Sequence, residues 1–130
     1  MQQLIKRLLK DNILYIALAF SIFILVFSLI PVKSNLLGNV ENSDKILHTT
    51  AYTFLSLSWF FYFKPFKNIQ KKGLIVLGLF IYGIIIEILQ STLTTYRTGS
   101  FYDVLANSIG ILIALISFEK VYKIALSKNN

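Results

Sequence analysis

Eight polar residues stand out because they lie within or beside otherwise apolar segments, where such side chains are costly unless they are paired or used. Four of them can transfer a proton or orient a group that does, namely Asp44, His48, Glu87 and Asp103. Four others offer a cation or an amide to a ligand, namely Lys45, Gln90, Arg97 and Asn107. His48 is the only histidine, and histidine changes charge close to neutral pH. These residue types suit acid–base chemistry on a phosphate group, or its binding.

Glu87 has the strongest claim to a functional role. It lies in the apolar run of residues 84–89, late in an apolar segment, where the dipole of a helix does not favour an anion. A carboxylate there has to be paired, protonated or next to water, and ionisable groups inside membrane segments are functional candidates by default. Gly83, one turn earlier, leaves room on that face for a close helix or a headgroup.

Structural roles remain open for several of the other residues. Asp103 completes a capping-box pattern that starts at Ser100, and Asp44 falls in an expected first helical turn, where a carboxylate interacts favourably with the helix dipole. Lys45 and Arg97 could extend towards lipid phosphates. His48 by itself could be a hydrogen-bonded histidine between helices.

Four apolar segments carry or flank these residues. The chain of 130 residues is 55% hydrophobic and 15% charged, which excludes a disordered chain, a coiled coil and an ordinary soluble domain. Each segment is long enough to cross a hydrocarbon core of about 30 Å as a helix, and none shows the alternation of a membrane β-barrel. The sequence predicts an all-α fold, an integral membrane four-helix bundle in a single domain of residues 1–130. Its helices are expected at about residues 13–30, 46–63, 74–93 and 101–118.

The distribution of cations predicts the orientation of this bundle. Ten cations lie in the two termini and the middle linker, and three lie in the other two linkers. By the positive-inside rule both termini and the middle linker are cytoplasmic, and the first segment is an uncleaved anchor because no small-x-small cleavage site follows it. Topology thus accounts for the net charge of +7, and no nucleic acid partner is expected. The same orientation turns the eight polar residues towards the outer leaflet.

Helical spacing predicts that these residues face one another. Asp44 and His48 are four residues apart, as are Asp103 and Asn107, and Glu87 and Gln90 are three apart. Each pair therefore shares one helix face, and three such faces avoid lipid best by meeting.

In their order along the chain, these residues resemble the VanZ-like membrane protein family, named after a teicoplanin-resistance protein. The resemblance covers roughly residues 40–115, and Ala114 departs from it, since a second glycine commonly follows Gly110 there. The matching motifs are Asp44-Lys45-Ile46-Leu47-His48 with Ala51-Tyr52, Glu87-Ile88-Leu89-Gln90, Arg97-x-x-Ser100-x-x-Asp103 and Asn107-x-x-Gly110. The resemblance implies action on, or binding to, lipid headgroups or lipid-linked envelope glycans in the bacterial inner or cytoplasmic membrane.

Three functions follow as expectations. In the first, a phosphate-bearing headgroup at the outer leaflet is bound by Arg97 and Lys45, with Gln90 and Asn107 nearby, and is hydrolysed or transferred with help from His48 and the carboxylates. In the second, a non-catalytic envelope protein binds lipid-linked precursors or modulates glycopeptide susceptibility. In the third, the polar residues only lock a structural membrane subunit together. No resident cofactor is expected, although the same carboxylates and His48 could ligate Mg²⁺ or Mn²⁺; the oligomeric state stays open.

Overall fold

A computed structural model describes residues 1–30, 40–65, 67–95 and 100–126 of the chain. Within these ranges the secondary structure consists of five α-helices and contains no strand. The helices are α1 (Gln2–Asp11), α2 (Ile13–Leu29), α3 (Val40–Phe63), α4 (Ile69–Leu93) and α5 (Phe101–Leu126). The predicted all-α class is therefore confirmed.

Three of the helices, α3, α4 and α5, are longer than the apolar segments from which they were predicted. α3 and α4 begin several residues before the expected starts at 46 and 74, and α5 continues past the expected end at 118. An apolar run marks the part of a helix that suits lipid, whereas polar helix formers extend the helix beyond that part. At the start of α4, the side chain of Asn68 accepts a hydrogen bond from the backbone N–H of Lys71 at 2.9 Å, which caps the extension.

The sequence prediction did not include α1. This short helix alternates apolar with basic positions, as in Leu4-Ile5-Lys6-Arg7, and so has no long apolar run. It lies against α5 and α2. The described residues thus contain one helix more than the four expected.

Among the described residues, two helices are long and apolar enough to cross a membrane by length and composition. They are α4, with a mean hydropathy of 2.2 in its most apolar window, and Phe101–Ala125 of α5, with 1.8. The apolar helix α2 is shorter, at 17 residues. Large apolar side chains such as Leu74, Ile88 and Ile116 are exposed, a surface that suits lipid better than water.

Helices α3 and α5 form the most extensive contact of the fold. α2 packs against α3 and α4, and α4 packs against α5. Buried side chains form two clusters along this arrangement. One contains Tyr52, Leu55 and Ile111 among its members, and the other contains Phe60, Phe61 and Phe118.

A close approach of α3 and α5 depends on Gly110. A β-carbon there would collide with the carbonyl oxygen of Thr49, and it would lie 3.0 Å from the β-carbon of Tyr52. At this crossing Thr49 donates a hydrogen bond to the carbonyl of Ala106, and Thr53 donates one to the carbonyl of Gly110, each at 3.2 Å. Only glycine allows the two backbones to approach this closely. This contact brings the early turns of α3 and α5 together.

Candidate functional site

His48 lies at the centre of a polar cluster formed by α3, α4 and α5. Its Nδ1 atom is 3.0 Å from Oδ1 of Asn107, and its Nε2 atom is 3.6 Å from Oδ1 of Asp44. An amide oxygen can only accept a hydrogen bond, so Nδ1 donates to Asn107. In the neutral ring, the lone pair is then on Nε2, on the side that faces Asp44.

Local structure explains how Asp44 and Asp103 reach this position. Asp44 lies one helical turn before His48 on the same face of α3. Asp103 lies in the first turn of α5, where its backbone N–H donates to Oγ of Ser100 at 3.2 Å. Ser100 therefore caps α5, as its spacing from Asp103 suggested.

Glu87 approaches the cluster from α4. Its Oε1 atom lies 3.8 Å from Nδ1 of His48, and the residue is only 4% exposed. Neither carboxylate oxygen accepts a hydrogen bond within the described part of the chain, although the backbone N–H of Ser100 is near enough to interact with the charge. Asp44 and Asp103 are also close enough to repel that charge. The cluster therefore combines three carboxyl groups with a single histidine.

Three of these side chains are close enough to share one small ligand. One potential ligand atom each of Asp44, His48 and Asp103 lies within 4.8 Å of the other two. Beside them, a cavity of about 270 Å³ opens between α4 and α5, with Glu87 and Ser100 in its wall. The arrangement can transfer protons through His48 and can attract a cation through the carboxylates.

Two residues expected to bind a ligand have other contacts. Gln90 is buried and donates a hydrogen bond from Nε2 to the carbonyl of Ser28 at 2.9 Å, which ties α4 to the end of α2. Lys45 lies on a neighbouring face of α3, where its ammonium group is 5.5 Å from the centre of the Tyr102 ring. Lys45 and Tyr102 line a largely apolar groove of about 380 Å³ between α3 and α5. Arg97, the other expected phosphate ligand, lies outside the described residues.

Tyr52 is a member of the site that the chemical argument from sequence did not include. Its hydroxyl is buried and has no hydrogen bond among the described residues, and the same holds for Nδ2 of Asn107. Both groups lie beside Gly83, about 3.5 Å from where its β-carbon would be. The available signal was spacing, since Tyr52 follows His48 by one helical turn. Buried polar groups without partners generally indicate a ligand or water.

Comparison with known proteins identifies the family. Searches of curated proteins and of solved structures gave no match. The family model described as VanZ/LLP1 matches residues 6–123, which include all the cluster residues. The resemblance seen in the motifs is therefore confirmed, and the chain belongs to the VanZ/LLP1 family.

Proposed function

We propose that this chain is a multi-pass membrane protein of the cell envelope that binds a phosphate-bearing lipid headgroup at the outer leaflet, with His48 as its acid–base group. Family membership suggests an envelope-related protein with a role like that of glycopeptide-resistance proteins. The observation that carries the proposal is the convergence of Asp44, His48, Glu87 and Asp103 from three helices. A polar cluster of this kind inside a membrane protein is expensive to maintain without a function.

The proposed arrangement is a four-helix bundle in the bacterial inner or cytoplasmic membrane. Both termini lie in the cytoplasm. The cluster lies at the starts of α3 and α5, and the cations of the α3–α4 connection lie at the opposite end. At that opposite end Lys72 forms an ion pair with Glu119 of α5 at 3.4 Å. The positive-inside rule assigns the lysine-rich end to the cytoplasm, and the cluster then faces outward.

Cysteine labelling tests this orientation, since the natural chain contains no cysteine. Asn68 and Thr95 are both exposed, and they lie at opposite ends of α4. An impermeant maleimide added to intact cells should label Thr95→Cys, and it should label Asn68→Cys only after permeabilisation. The reverse pattern would contradict the outward orientation of the cluster.

The lipid itself would lie along the groove between α3 and α5. The apolar side chains of Ile46, Leu105 and Ile109 line that groove and suit an acyl chain. Lys45 lies in the same groove, where its ammonium group can pair with a lipid phosphate. The adjacent face of α3 carries Asp44 and His48, so a headgroup held by Lys45 would lie beside the cluster.

His48 is suited to hydrolysis of a phosphoester bond in that headgroup. Water attacks phosphorus while Nε2 takes its proton, and the bond from phosphorus to the leaving oxygen breaks. His48 then returns the proton to that oxygen. Asn107 holds the ring through Nδ1, and the carboxylate of Glu87 stabilises the imidazolium that forms in between.

Purified protein and a panel of phosphate-bearing envelope lipids test binding and chemistry separately. His48→Ala should lower turnover by about 10²–10⁴-fold. Lys45→Gln should weaken binding at least about tenfold, the equivalent of a hydrogen bond to a charged group. Lys120→Gln, an exposed lysine at the other end of the chain, is the matched control and should behave as wild type.

The outcome also separates the two leading functions. Specific binding without turnover, together with a change in glycopeptide susceptibility for Lys45→Gln but not for His48→Ala, would identify a non-catalytic binding protein. Absence of binding across the whole lipid panel would contradict the proposed function.

A further inference from the structure

We propose that Asp44, His48 and Asp103 bind one divalent metal ion of the Mn²⁺ or Zn²⁺ class, with Glu87 and Asn107 as positioning residues behind the histidine. The inference deepens the proposed function and rests on it for the role of the ion, because it explains how an acidic cluster can accept an anionic headgroup. It changes one step of that function: Nε2 of His48 would bind the ion and could not accept a proton. The ion would then supply the nucleophile by lowering the pKa of a bound water, in place of general-base catalysis by His48. The existence of the ion does not depend on the lipid.

The distances between the three side chains suit a common ion. Metal bonds to imidazole nitrogen and carboxylate oxygen are about 2.0–2.2 Å long, so two donors on one ion are at most about 4.4 Å apart. Nε2 of His48 is 3.6 Å from Oδ1 of Asp44, and the three ligand atoms lie within 4.8 Å of one another. Small rotations of the side chains therefore bring all three to bonding distance.

The hydrogen bonding of His48 selects the nitrogen that would bind the ion. A histidine that binds metal through one ring nitrogen usually donates its other N–H to a carbonyl or carboxylate oxygen. Here Nδ1 donates to Oδ1 of Asn107 at 3.0 Å, which directs the free lone pair of Nε2 towards the carboxylate of Asp44. Asn107 is itself buried, so the orientation of the ring is fixed.

Glu87 adds a buried negative charge that a cation in the cluster would help to balance. It is 4% exposed, points at His48 over 3.8 Å, and neither of its oxygens accepts a hydrogen bond within the described residues. One protonated histidine cannot balance the buried carboxylates of Glu87 and Asp103 together with the partly exposed Asp44, and unbalanced buried charge is strongly unfavourable. A divalent ion on the other side of the ring removes most of this imbalance.

The donor set indicates which metal would bind. Carboxylates are typical ligands for Mg²⁺, Ca²⁺ and Mn²⁺, and imidazole is typical for Zn²⁺ and Fe²⁺. One imidazole with two carboxylates therefore favours Mn²⁺ or Zn²⁺. Three protein ligands leave coordination positions open, as in catalytic sites, and a phosphate oxygen could occupy one of them.

Electron paramagnetic resonance of Mn²⁺ titrated into the purified protein, without added lipid, tests the site. The wild type should bind one Mn²⁺ per chain, and Zn²⁺ should displace it. His48→Ala and Asp103→Asn should each weaken binding at least tenfold. Glu87→Gln and Asn107→Ala should weaken Mn²⁺ binding by about 10–100-fold, because Glu87 and Asn107 position the histidine. One Mn²⁺ should still bind to each of these variants at saturation.

Matched controls separate the site from general metal binding by acidic residues. Glu119→Gln removes a carboxylate that pairs with Lys72, far along α5 from Asp103, and it should not change Mn²⁺ affinity. Circular dichroism of each variant establishes that it is folded. If the wild type binds neither Mn²⁺ nor Zn²⁺, or if His48→Ala and Asp103→Asn bind as tightly as the wild type, the metal site is wrong.

Lipid binding in the presence of a chelator distinguishes this inference from the proposed function. Undiminished lipid binding in EDTA, by protein that takes up no metal, would overturn the metal site and leave the proposed function intact. Metal uptake without binding of any envelope lipid would overturn the proposed function and leave the metal site intact.

Discussion

The two ends of the α3–α5 helix pair are held together in different ways. At the polar end, formed by Asp44, His48, Glu87, Asp103 and Asn107, the helices meet through hydrogen bonds and charges. At the aromatic end, the ring of Phe118 packs against Phe60 and Phe61, with ring centres 5.7 and 5.6 Å apart. Tyr122 extends this packing, 5.8 Å from Phe118.

Burial serves a different purpose at each end of the helix pair. Asn107 and Phe118 are both only 2% exposed, yet Asn107 leaves its Nδ2 without a hydrogen bond among the described residues while Phe118 has ring partners on two sides. Dispersion contacts hold the aromatic end together. The polar end retains groups that packing alone does not need. We therefore expect substitutions at the aromatic end to reduce stability, and those at the polar end to reduce function.

The largest loss of stability is expected for Phe118→Ala. The free energy of unfolding should fall by about 3 kcal/mol, the low end for a truncated buried phenylalanine, because surrounding lipid is as apolar as the lost side chain. Thermal or SDS-induced unfolding in detergent measures the change. Phe101→Ala makes the same change where the side chain is 72% exposed, and its stability should stay close to wild type. Equal losses for the two variants would show that the aromatic end does not hold the pair together.

A smaller loss is expected for Gly110→Ala, which lies between the two ends. Its new β-carbon would collide with the carbonyl oxygen of Thr49, so the helices have to separate at a cost of about 2 kcal/mol. Gly78→Ala is the matched control, because a β-carbon there meets no atom within 4 Å. The same unfolding assay compares them. A Gly110→Ala variant as stable as Gly78→Ala would contradict the close approach of α3 and α5.

The smallest loss is expected at the polar end itself, for Asn107→Leu. Replacing the amide removes the hydrogen bond from His48 and also removes an amide nitrogen that has no partner among the described residues. The free energy of unfolding should fall by about 1 kcal/mol. Mn²⁺ affinity and turnover should nevertheless fall far more than in Phe118→Ala at a temperature where both variants are folded. A large loss of stability with unchanged activity would reverse the roles given to the two ends.

The sequence was informative about features that depend on a single helix, namely whether a segment is helical and which residues share a face. Long apolar runs require helices in lipid, and the described residues are helical in all four expected segments. Spacing of four residues correctly paired Asp44 with His48 on one face of α3. Apolar runs did not predict α1, because this short helix of mixed apolar and basic residues contains no long apolar run.

The helical class, the family motifs and the polar residues of each helix can all be read from the amino-acid sequence. Only the tertiary structure decided which of those residues meet, bringing Asn107 to His48 while directing Gln90 to Ser28 and Lys45 to the ring of Tyr102. The physical reason is that spacing within a helix fixes a face but leaves the helix free to rotate about its axis. That rotation is set by contacts between helices, such as the fit of Gly110 against Thr49, whose partners are 61 positions apart in the chain.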